Sequence, residues 1–330
     1  MAATSPSVSQ PKLRSIKAVA AELPALTSIP SVYNFQTIPN NIINDIETFS
    51  EADESMIPTI DFSLLTSSNP EERSKVIQDL AKACQDWGFF MVTNHGVPES
   101  MMKAMIEACR AFFELPEEEK QEFEGKHVLD PISEIALEFS KRVRQVAREI
   151  TRGISESLGL ELDYIDKALD LENGLQLLIA NLYPPCPQPE LAMGLPPHSD
   201  HGLVTLLIQN EIGGLQVKPQ GKWINVNPIP NSFLANIGDH IEILSNGKYK
   251  SVLHRAVVNN KDTRISIAIP HGPAPDAAVS PASELVDRVS NPPAYKAIKY
   301  KEYIELQQSH NLDWKSALER IRLYDIEYNN

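Results

Sequence analysis

The first residues with a chemical signature are His198 and Asp200, which stand two positions apart. On a β-strand, side chains two positions apart point to the same side, so this pair can hold one ion between them. His254 follows 54 residues after Asp200, inside the predicted strand Ser251–Val258. Two imidazoles and one carboxylate that leave other positions open form a ligand set suited to non-haem Fe(II) and oxygen chemistry. The sequence therefore predicts an iron site at His198, Asp200 and His254.

A closed zinc site is the alternative for the same residues. Such a site takes four ligands, so one more histidine or cysteine would have to lie nearby. The candidates for this fourth position are His201, His240 and His271. None of them repeats the two-residue spacing, and single histidines are more often loop or core residues than ligands. The pattern therefore favours iron over zinc.

Arg264 and Ser266 form a second pair with strand spacing, ten residues after His254. A guanidinium and a hydroxyl on one face of a strand can bind a carboxylate beside the metal. A buried arginine needs an anionic partner, because an uncompensated charge in the interior is costly. A dicarboxylate co-substrate would be that partner, and a salt bridge to an internal Asp or Glu is the alternative that the pair alone leaves open.

These candidate residues lie in a region of short strands separated by Pro, Gly and Asn. The predicted strands are Leu177–Leu182, Val204–Gln209, Leu215–Val217, Trp223–Val226, Phe233–Ile237, Ser251–Val258 and Arg264–Ala268. Many short strands within about 100 residues are typical of a jelly roll or barrel. Such a fold can bring the histidines, the aspartate and the arginine to one interior.

The rest of the chain is mostly helical or irregular. Apolar residues at steps of three or four predict helices over residues 69–86 and 134–158. We therefore divide the chain into an N-terminal arm (1–55), a mostly helical region with the first strands (56–172), a jelly-roll core (173–290) and a C-terminal helix (291–330).

Composition excludes several classes of function. The 330 residues include 30 basic and 44 acidic side chains, and the net charge of −14 disfavours nucleic acids and anionic membrane surfaces as partners. Neither a GxGxxG nor a GKS/GKT phosphate-binding motif occurs. No apolar run reaches the roughly 20 residues of a membrane-spanning helix. We expect a monomer that binds a small molecule.

The cysteines and the N-terminus bear on location. Three widely spaced cysteines, an odd number, are typical of a reducing compartment and favour the cytoplasm. The residues Lys12, Arg14 and Lys17 precede the first acidic residue, Glu22, and leave an organellar transit peptide open as an alternative.

Several short motifs recur in an order that resembles the plant 2-oxoglutarate- and Fe(II)-dependent dioxygenases. In the first part of the chain these are Trp87–Phe90 and Asn94–Pro98. Later come Asn181–Pro187, His198-Ser199-Asp200, Gly238-Asp239-His240, Ser245–Ser251, His254-Arg255 and Arg264-Ile265-Ser266. The resemblance extends from about Ile57 to Val286.

The resemblance implies a fold and a chemistry. The family fold is a double-stranded β-helix, a jelly-roll barrel flanked by helices. By match to the family motifs, His198, Asp200 and His254 bind Fe(II), while Arg264, Ser266, Tyr183 and Asn181 bind 2-oxoglutarate. No catalytic residue is implied beyond the metal centre. The implied reaction uses O2, with ascorbate as activator, to hydroxylate, demethylate or desaturate a small plant specialised metabolite or hormone, and it releases succinate and CO2.

Two features depart from the family pattern. Many relatives have a substrate-stacking phenylalanine where this chain has Pro270, followed by His271, so these two residues are the candidate substrate contacts. Residues 121–133, and 126–133 in particular, are shorter than the corresponding stretch of relatives. A pocket wall lost at this place would leave a catalytically impaired ligand-binding jelly-roll protein, which is one alternative. Another alternative is an oxidase of the same fold that keeps the iron site but does not use 2-oxoglutarate.

Overall fold

The structure is a computed structural model, and it describes residue 29 and residues 57–123, 133–308 and 316–323. Apart from Ile29, the predicted N-terminal arm lies outside the described residues. So does most of the shortened segment near 126–133, up to residue 132.

Nine helices are numbered here within the described ranges, in chain order. They are α1 (Phe62–Leu65), α2 (Pro70–Asp86), α3 (Glu99–Glu114), α4 (Glu117–Gln121), α5 (Ser133–Ser157), α6 (Tyr164–Ala168), α7 (Asp239–Leu244), α8 (Tyr300–Gln308) and α9 (Ser316–Ile321). Short 3-10 turns lie at Pro189–Leu191, Pro219–Gly221 and Ser283–Leu285. None of the described helices is long and apolar enough to cross a membrane.

The strands are numbered in the same way. They are β1 (Thr59–Asp61), β2 (Phe89–Thr93), β3 (Ile179–Tyr183), β4 (Met193–His198), β5 (Val204–Gln209), β6 (Leu215–Val217), β7 (Ile224–Val226), β8 (Phe233–Ile237), β9 (His254–Val257), β10 (Arg264–His271), β11 (Ala278–Val279) and β12 (Ile298–Lys299). Strands β11 and β12 pair with each other.

The two predicted helices, α2 and α5, are stabilised by an N-terminal cap and by burial of an apolar stripe, respectively. The side chain of Asn69 accepts a hydrogen bond from the Glu71 amide, and Pro70 occupies the first turn of α2, where its missing N–H costs nothing. Helix α5 carries an apolar stripe and buries it against α2 and the large sheet. The buried members of this stripe are Phe139, Val143, Val146, Ile150 and Ile154.

The core consists of two sheets. The larger sheet has the order β1-β2-β8-β5-β10-β3, and the smaller has the order β4-β9-β6-β7. Apart from the parallel pair β1 and β2, the neighbours are antiparallel. Side chains of both sheets pack in one apolar cluster that includes Phe89, Met91 and Leu234 from the larger sheet and Leu215 and Val217 from the smaller. The other face of the larger sheet packs against the helices. This is the predicted jelly roll flanked by helices.

The structure corrects the prediction in two places near the candidate ligands. Strand β4 was not predicted, because its sequence, with Gly194, Pro196 and Pro197, carries no strand signal, and its pairing with β9 is irregular. Strand β4 ends at His198, so Asp200 lies in the following loop and not two positions along the same strand. The two side chains are brought together by the loop.

Candidate metal centre and co-substrate pocket

The three predicted metal ligands meet at one end of the smaller sheet. His198 ends β4 and His254 begins β9, and the two are cross-strand partners. One donor atom from each histidine and one from Asp200 all lie within 4.8 Å of one another. The Oδ1 atom of Asp200 is 3.9 Å from His198 Nε2 and 3.8 Å from His254 Nε2. An ion between the three groups would have ligands on one side and open positions on the other.

The second nitrogen of each imidazole is held by the backbone. His198 Nδ1 lies 2.8 Å from the Pro196 carbonyl oxygen, and His254 Nδ1 lies 3.4 Å from that of Val252. A carbonyl oxygen accepts hydrogen bonds only, so each Nδ1 carries the proton and donates. Each Nε2 therefore keeps its lone pair for a metal, which is the arrangement that ligating histidines usually have.

The two oxygens of Asp200 are in different environments. Oδ2 accepts hydrogen bonds from Thr205 Oγ1 at 2.5 Å and from Asn236 Nδ2 at 2.8 Å. Thr205 and Asn236 are cross-strand partners on β5 and β8, so the larger sheet holds the carboxylate by two neighbouring strands. These bonds fix the side chain and leave Oδ1 facing the two histidines.

The protonation states suit a cation. Burial would raise the pKa of Asp200, but the nearby His254 and His198 and the two hydrogen bonds lower it to about 2. Burial, with the adjacent His198, lowers the pKa of His254 to about 4 against the opposing effect of Asp200. At neutral pH the site thus contains a carboxylate and a neutral His254. Two imidazole nitrogens and a carboxylate oxygen on one face match the donor set of a non-haem Fe(II) centre.

Arg264 is buried, and among the described residues its hydrogen-bond partners are neutral. Its side chain is 1% exposed, and its Nε and Nη2 atoms donate to Gln209 Oε1 at 3.1 and 2.7 Å. Its Nη1 atom lies 3.4 Å from Ser266 Oγ, and its guanidinium carbon lies 5.0 Å from the centre of the Tyr183 ring. Burial lowers the pKa of Arg264, and Tyr183 opposes this shift. Within the described residues, no acidic side chain forms an ion pair with Arg264, so the proposed internal salt bridge is not found there.

One cavity of about 110 Å³ joins the ligands to the arginine. Strands β3 and β10 pair so that Tyr183 faces Arg264 and Asn181 faces Ser266. All seven residues predicted for iron and for 2-oxoglutarate line this cavity, as do Leu207, Leu215 and Ala268 among its apolar walls. The structure therefore brings together residues that are up to 85 positions apart in the sequence.

The two candidate substrate residues go to opposite faces. Strand β10 extends past Ala268 and includes both Pro270 and His271. Pro270 lines the cavity, two positions on from Ala268. The His271 side chain lines a separate small cavity with Arg144 and Arg148 of α5. Successive strand residues alternate between faces, so the expectation of a substrate contact by His271 is corrected.

Three residues of the site were not predicted: Thr205, Gln209 and Asn236. Thr205 and Gln209 alternate with apolar residues along β5, which was visible as a strand with two unlike faces. Asn236 is the one amide in a strand buried along its whole length, and a polar residue in such a strand is a signal that it has a specific partner. The partner itself could not be read from the sequence.

Comparison with known proteins gives a consistent result. Residues 174–273 match the family model described as the 2OG-Fe(II) oxygenase superfamily. Residues 57–153 match the model described as the non-haem dioxygenase in morphine synthesis N-terminal. The two matches cover most of the chain between the first described strand and the end of β10.

The similar whole proteins are plant dioxygenases. The chain is 41% identical over 305 residues to 2-oxoglutarate-dependent dioxygenase 19 of Oryza sativa subsp. japonica, covering 81% of this chain and 90% of that protein. It is 37% identical to Protein DMR6-LIKE OXYGENASE 2 of Arabidopsis thaliana, covering 86% of this chain and 94% of that one. Since 81% of 330 residues is about 267, about 38 positions of the rice alignment have no counterpart in this chain.

Solved structures agree. The crystal structure of JOX2 with 2OG, Fe and JA superposes with a TM-score of 0.82 at 30% identity, covering 96% of this chain and 99% of that one. The structure of a dioxygenase for auxin oxidation in rice gives a TM-score of 0.69 at 26% identity, covering 81% of this chain and all of that one. Both similarities extend over most of the two chains compared.

Proposed function

Because the chain belongs to the 2OG-Fe(II) oxygenase superfamily, we propose that His198, Asp200 and His254 hold its Fe(II) and that Arg264 and Ser266 anchor its 2-oxoglutarate. The protein is a 2-oxoglutarate-dependent dioxygenase that oxidises a small plant metabolite or hormone. Its co-substrates are 2-oxoglutarate and O2, ascorbate is the activator, and succinate and CO2 are released. The observation that carries the residue assignment is a buried arginine with neutral partners in the same cavity as three convergent metal donors.

The roles of the residues follow from their contacts. Bound Fe(II) supplies the redox chemistry with O2, and the protein supplies ligand geometry, orientation and a sheltered cavity. Arg264 meets the distal carboxylate of 2-oxoglutarate with a charge-assisted bond, and Ser266 adds a hydroxyl from two positions along β10. Gln209 holds the guanidinium on the side away from Ser266. Tyr183 and Asn181 of β3 line the same pocket. No acid–base side chain beyond the metal centre is assigned.

We propose that the substrate lies against apolar walls beyond this pocket. Pro270 and Ala268 of β10 and Ile179 of β3 line the cavity with no charged atom. Walls of this chemistry fit an apolar part of the metabolite, because contact with them removes apolar surface from water. Which reaction occurs, whether hydroxylation, demethylation or desaturation, depends on the substrate group that is oxidised.

The test of the function is a titration followed by turnover. Fe(II) is first added to the metal-free protein without oxygen, and 2-oxoglutarate is then titrated into the loaded protein. Admission of O2 with ascorbate and a plant metabolite extract should give succinate in amounts that depend on Fe(II) and 2-oxoglutarate. If 2-oxoglutarate binds equally well to wild type and to Arg264→Ala, the co-substrate assignment is wrong.

A partly impaired, ligand-binding version of the protein remains a second candidate because of one observation. Ile179 lines the cavity and is 43% exposed, and β3 lies at the edge of the larger sheet in the described chain. We propose that the positions missing relative to the rice protein fall in the shortened segment 121–133 and leave this side of the cavity open. We also propose that residues 56–172 form a mostly helical region and residues 173–290 form the jelly-roll core.

The two candidates differ in how tightly 2-oxoglutarate consumption is coupled to product. A competent enzyme forms succinate and oxidised product in equal amounts with its substrate. A ligand-binding protein with an open cavity binds the same compound and gives succinate without product, or neither. Measuring both products in one reaction, beside direct binding of the compound, decides between them. An oxidase that does not use 2-oxoglutarate would form product without succinate; the buried Arg264, which has no ion-pair partner in the described part of the chain, argues against it.

We also propose a cytoplasmic monomer. Cys84, Cys109 and Cys186 are buried and free, which is consistent with a reducing compartment. Light scattering on purified protein and fractionation of the source tissue test the two parts of this proposal.

A further inference from the structure

Helix α8 lies beside the loop that follows β4; two of its side chains contact this loop directly, and a third contacts it through Asp239. We infer that α8 holds the ligand loop, residues 198–203, in the geometry that binds metal, and that Tyr300, Tyr303 and Gln307 are positioning residues for the iron. The inference rests on the proposed function, because it requires that the loop binds a metal ion.

The three side chains share one face of the helix. Positions 300, 303 and 307 follow the three- and four-residue spacing at which helical side chains lie above one another. Tyr300 Oη is 2.9 Å from His201 Nδ1, and Gln307 Nε2 donates to the Ser199 carbonyl oxygen at 3.4 Å. His201 and Ser199 are the immediate neighbours of Asp200, one on each side. Helix α8 therefore contacts both sides of the ligand aspartate.

Tyr303 acts through one further residue. Its hydroxyl donates to Asp239 Oδ2 at 2.7 Å, and Ser199 Oγ lies 3.3 Å from the same oxygen. The backbone amide of Asp239 donates to the Asp200 carbonyl oxygen at 2.7 Å. Asp239 is buried, so the bond from Tyr303 is shielded from water. Moving Tyr303 would thus move Asp239 and, through it, the backbone of the ligand.

Residues 238–240 pack so closely against the ligand loop that neither segment can shift without moving the other. Gly238 donates its amide to the Leu203 carbonyl at 2.8 Å, and His240 donates its amide to Gly202 at 3.1 Å. A Cβ atom at Gly238 would lie 2.1 Å from the Gly202 carbonyl oxygen, so only glycine fits. Metal ligands must keep their distances within a few tenths of an ångström. Because the packing is this close, a shift of residues 238–240 would also shift the loop and the metal ligands that it carries.

A purely packing role for α8 predicts a different result from a positioning role. Tyr300 and Tyr303 are 1% and 0% exposed, so their removal lowers stability in either case. Only the positioning role predicts that loss of a hydroxyl, with the ring kept, changes metal affinity. Tyr249 offers a matched control, because it is 0% exposed and its hydroxyl lies 2.8 Å from Ser157 Oγ of α5, away from the loop.

The experiment compares Tyr300→Phe, Tyr303→Phe and Tyr249→Phe in the full chain. Fe(II) is titrated without oxygen, and thermal melts are recorded on the metal-free proteins. We expect the Fe(II) dissociation constant to rise about 10-fold in the first two variants, in the range found for groups that orient metal ligands, and to stay at the wild-type value in Tyr249→Phe. Equal Fe(II) affinity in all three variants, with similar losses of melting temperature, would overturn the inference.

Gln307→Ala provides a second variant that does not threaten folding, because Gln307 is only half-buried. Its control is Gln308→Ala, the exposed neighbour on the same helix. Weaker Fe(II) binding in Gln307→Ala alone supports the inference, and identical binding in both removes Gln307 from it. If wild type itself binds no Fe(II), the proposed function fails; if wild type binds and no variant differs, only the role of α8 fails.

Discussion

Thr205 and Asn236 face each other across β5 and β8, and both donate a hydrogen bond to the same oxygen of Asp200. One strand pair of the larger sheet thus fixes a ligand that belongs to a loop of the other sheet. The metal site therefore joins the two sheets, and its geometry depends on residues that do not touch the ion.

We predict that Thr205→Val weakens Fe(II) binding about 10-fold, because the isosteric side chain removes a hydrogen bond that holds the ligand carboxylate. Asn236→Leu should act in the same direction. Anaerobic Fe(II) titrations of both variants measure the effect, with the melting temperature of the metal-free protein as control for folding. Wild-type affinity in both variants would mean that Asp200 keeps its position without them.

His198→Ala and Asp200→Ala should each remove measurable Fe(II) binding under conditions that saturate wild type, since two ligands form an incomplete set. His271→Gln is the matched control, because His271 lies on the far face of β10 and lines a different cavity. Binding is measured by metal analysis after gel filtration. Iron retained in both ligand variants would contradict the assignment.

Arg264→Ala should raise the dissociation constant for 2-oxoglutarate roughly 30-fold or more, since losing one partner of a buried charged pair costs about 2–5 kcal/mol. Arg264→Lys should also weaken binding, because an ammonium cannot form two parallel bonds to a carboxylate. Fe(II) affinity should not change. Titration of 2-oxoglutarate into the Fe(II)-loaded proteins, beside a thermal melt, measures both properties.

Gln209→Leu tests how the guanidinium is held. Gln209 accepts two bonds from Arg264, and leucine would leave the arginine in place but free to turn. We predict a smaller loss of 2-oxoglutarate affinity than in Arg264→Ala, about 3- to 10-fold, because the bonds to Gln209 orient the guanidinium but do not themselves bind the co-substrate. An effect as large as that of Arg264→Ala would show instead that Gln209 itself binds the co-substrate.

Acid should destabilise the protein partly through His271. Burial, with the charge of Arg144 nearby, lowers the pKa of His271 from 6.5 to about 4. As pH falls through 6.5, His271 is protonated in the unfolded chain but stays neutral in the folded protein. The free energy of unfolding therefore falls between pH 6.5 and 4 and then levels off. His271→Leu should reduce the loss of unfolding free energy between pH 7 and pH 5 by about 2 kcal/mol. Urea titrations at the two pH values measure the difference, and an unchanged pH dependence would contradict the assigned shift.

Much of the site was predictable because side chains alternate along a strand, so that residues an even number of positions apart share a face. Arg264 and Ser266 share a face for this reason, and so do Asn181 and Tyr183 on the neighbouring strand. What parity cannot supply is the register between strands, so the pairing of Arg264 with Tyr183 appeared only in the structure.

The remaining misses have local causes. Strand β4 contains no Val, Ile, Thr, Phe, Tyr or Trp, and its two prolines are more typical of a loop. Its absence from the prediction led to the wrong view that His198 and Asp200 share a strand. The sequence predicts a helix in the C-terminal region, but no pattern in it indicates that the Tyr300 hydroxyl contacts His201, 99 residues earlier, or that the Tyr303 hydroxyl contacts Asp239, 64 residues earlier.

Strand β10 separates two environments by the parity of its residues, and this constrains which genetic changes the protein can accept. Arg264, Ser266, Ala268 and Pro270 face the cavity, while Ile265, Ile267 and Ile269 are buried in the core beneath the helices. A shift by one residue would exchange the two sets and turn the arginine into the apolar core. The preceding turn is closed by Asn259, whose side chain accepts from the Lys261 and Asp262 amides. Although this turn is on the surface, a single inserted or deleted codon there should be far more damaging than any substitution in it.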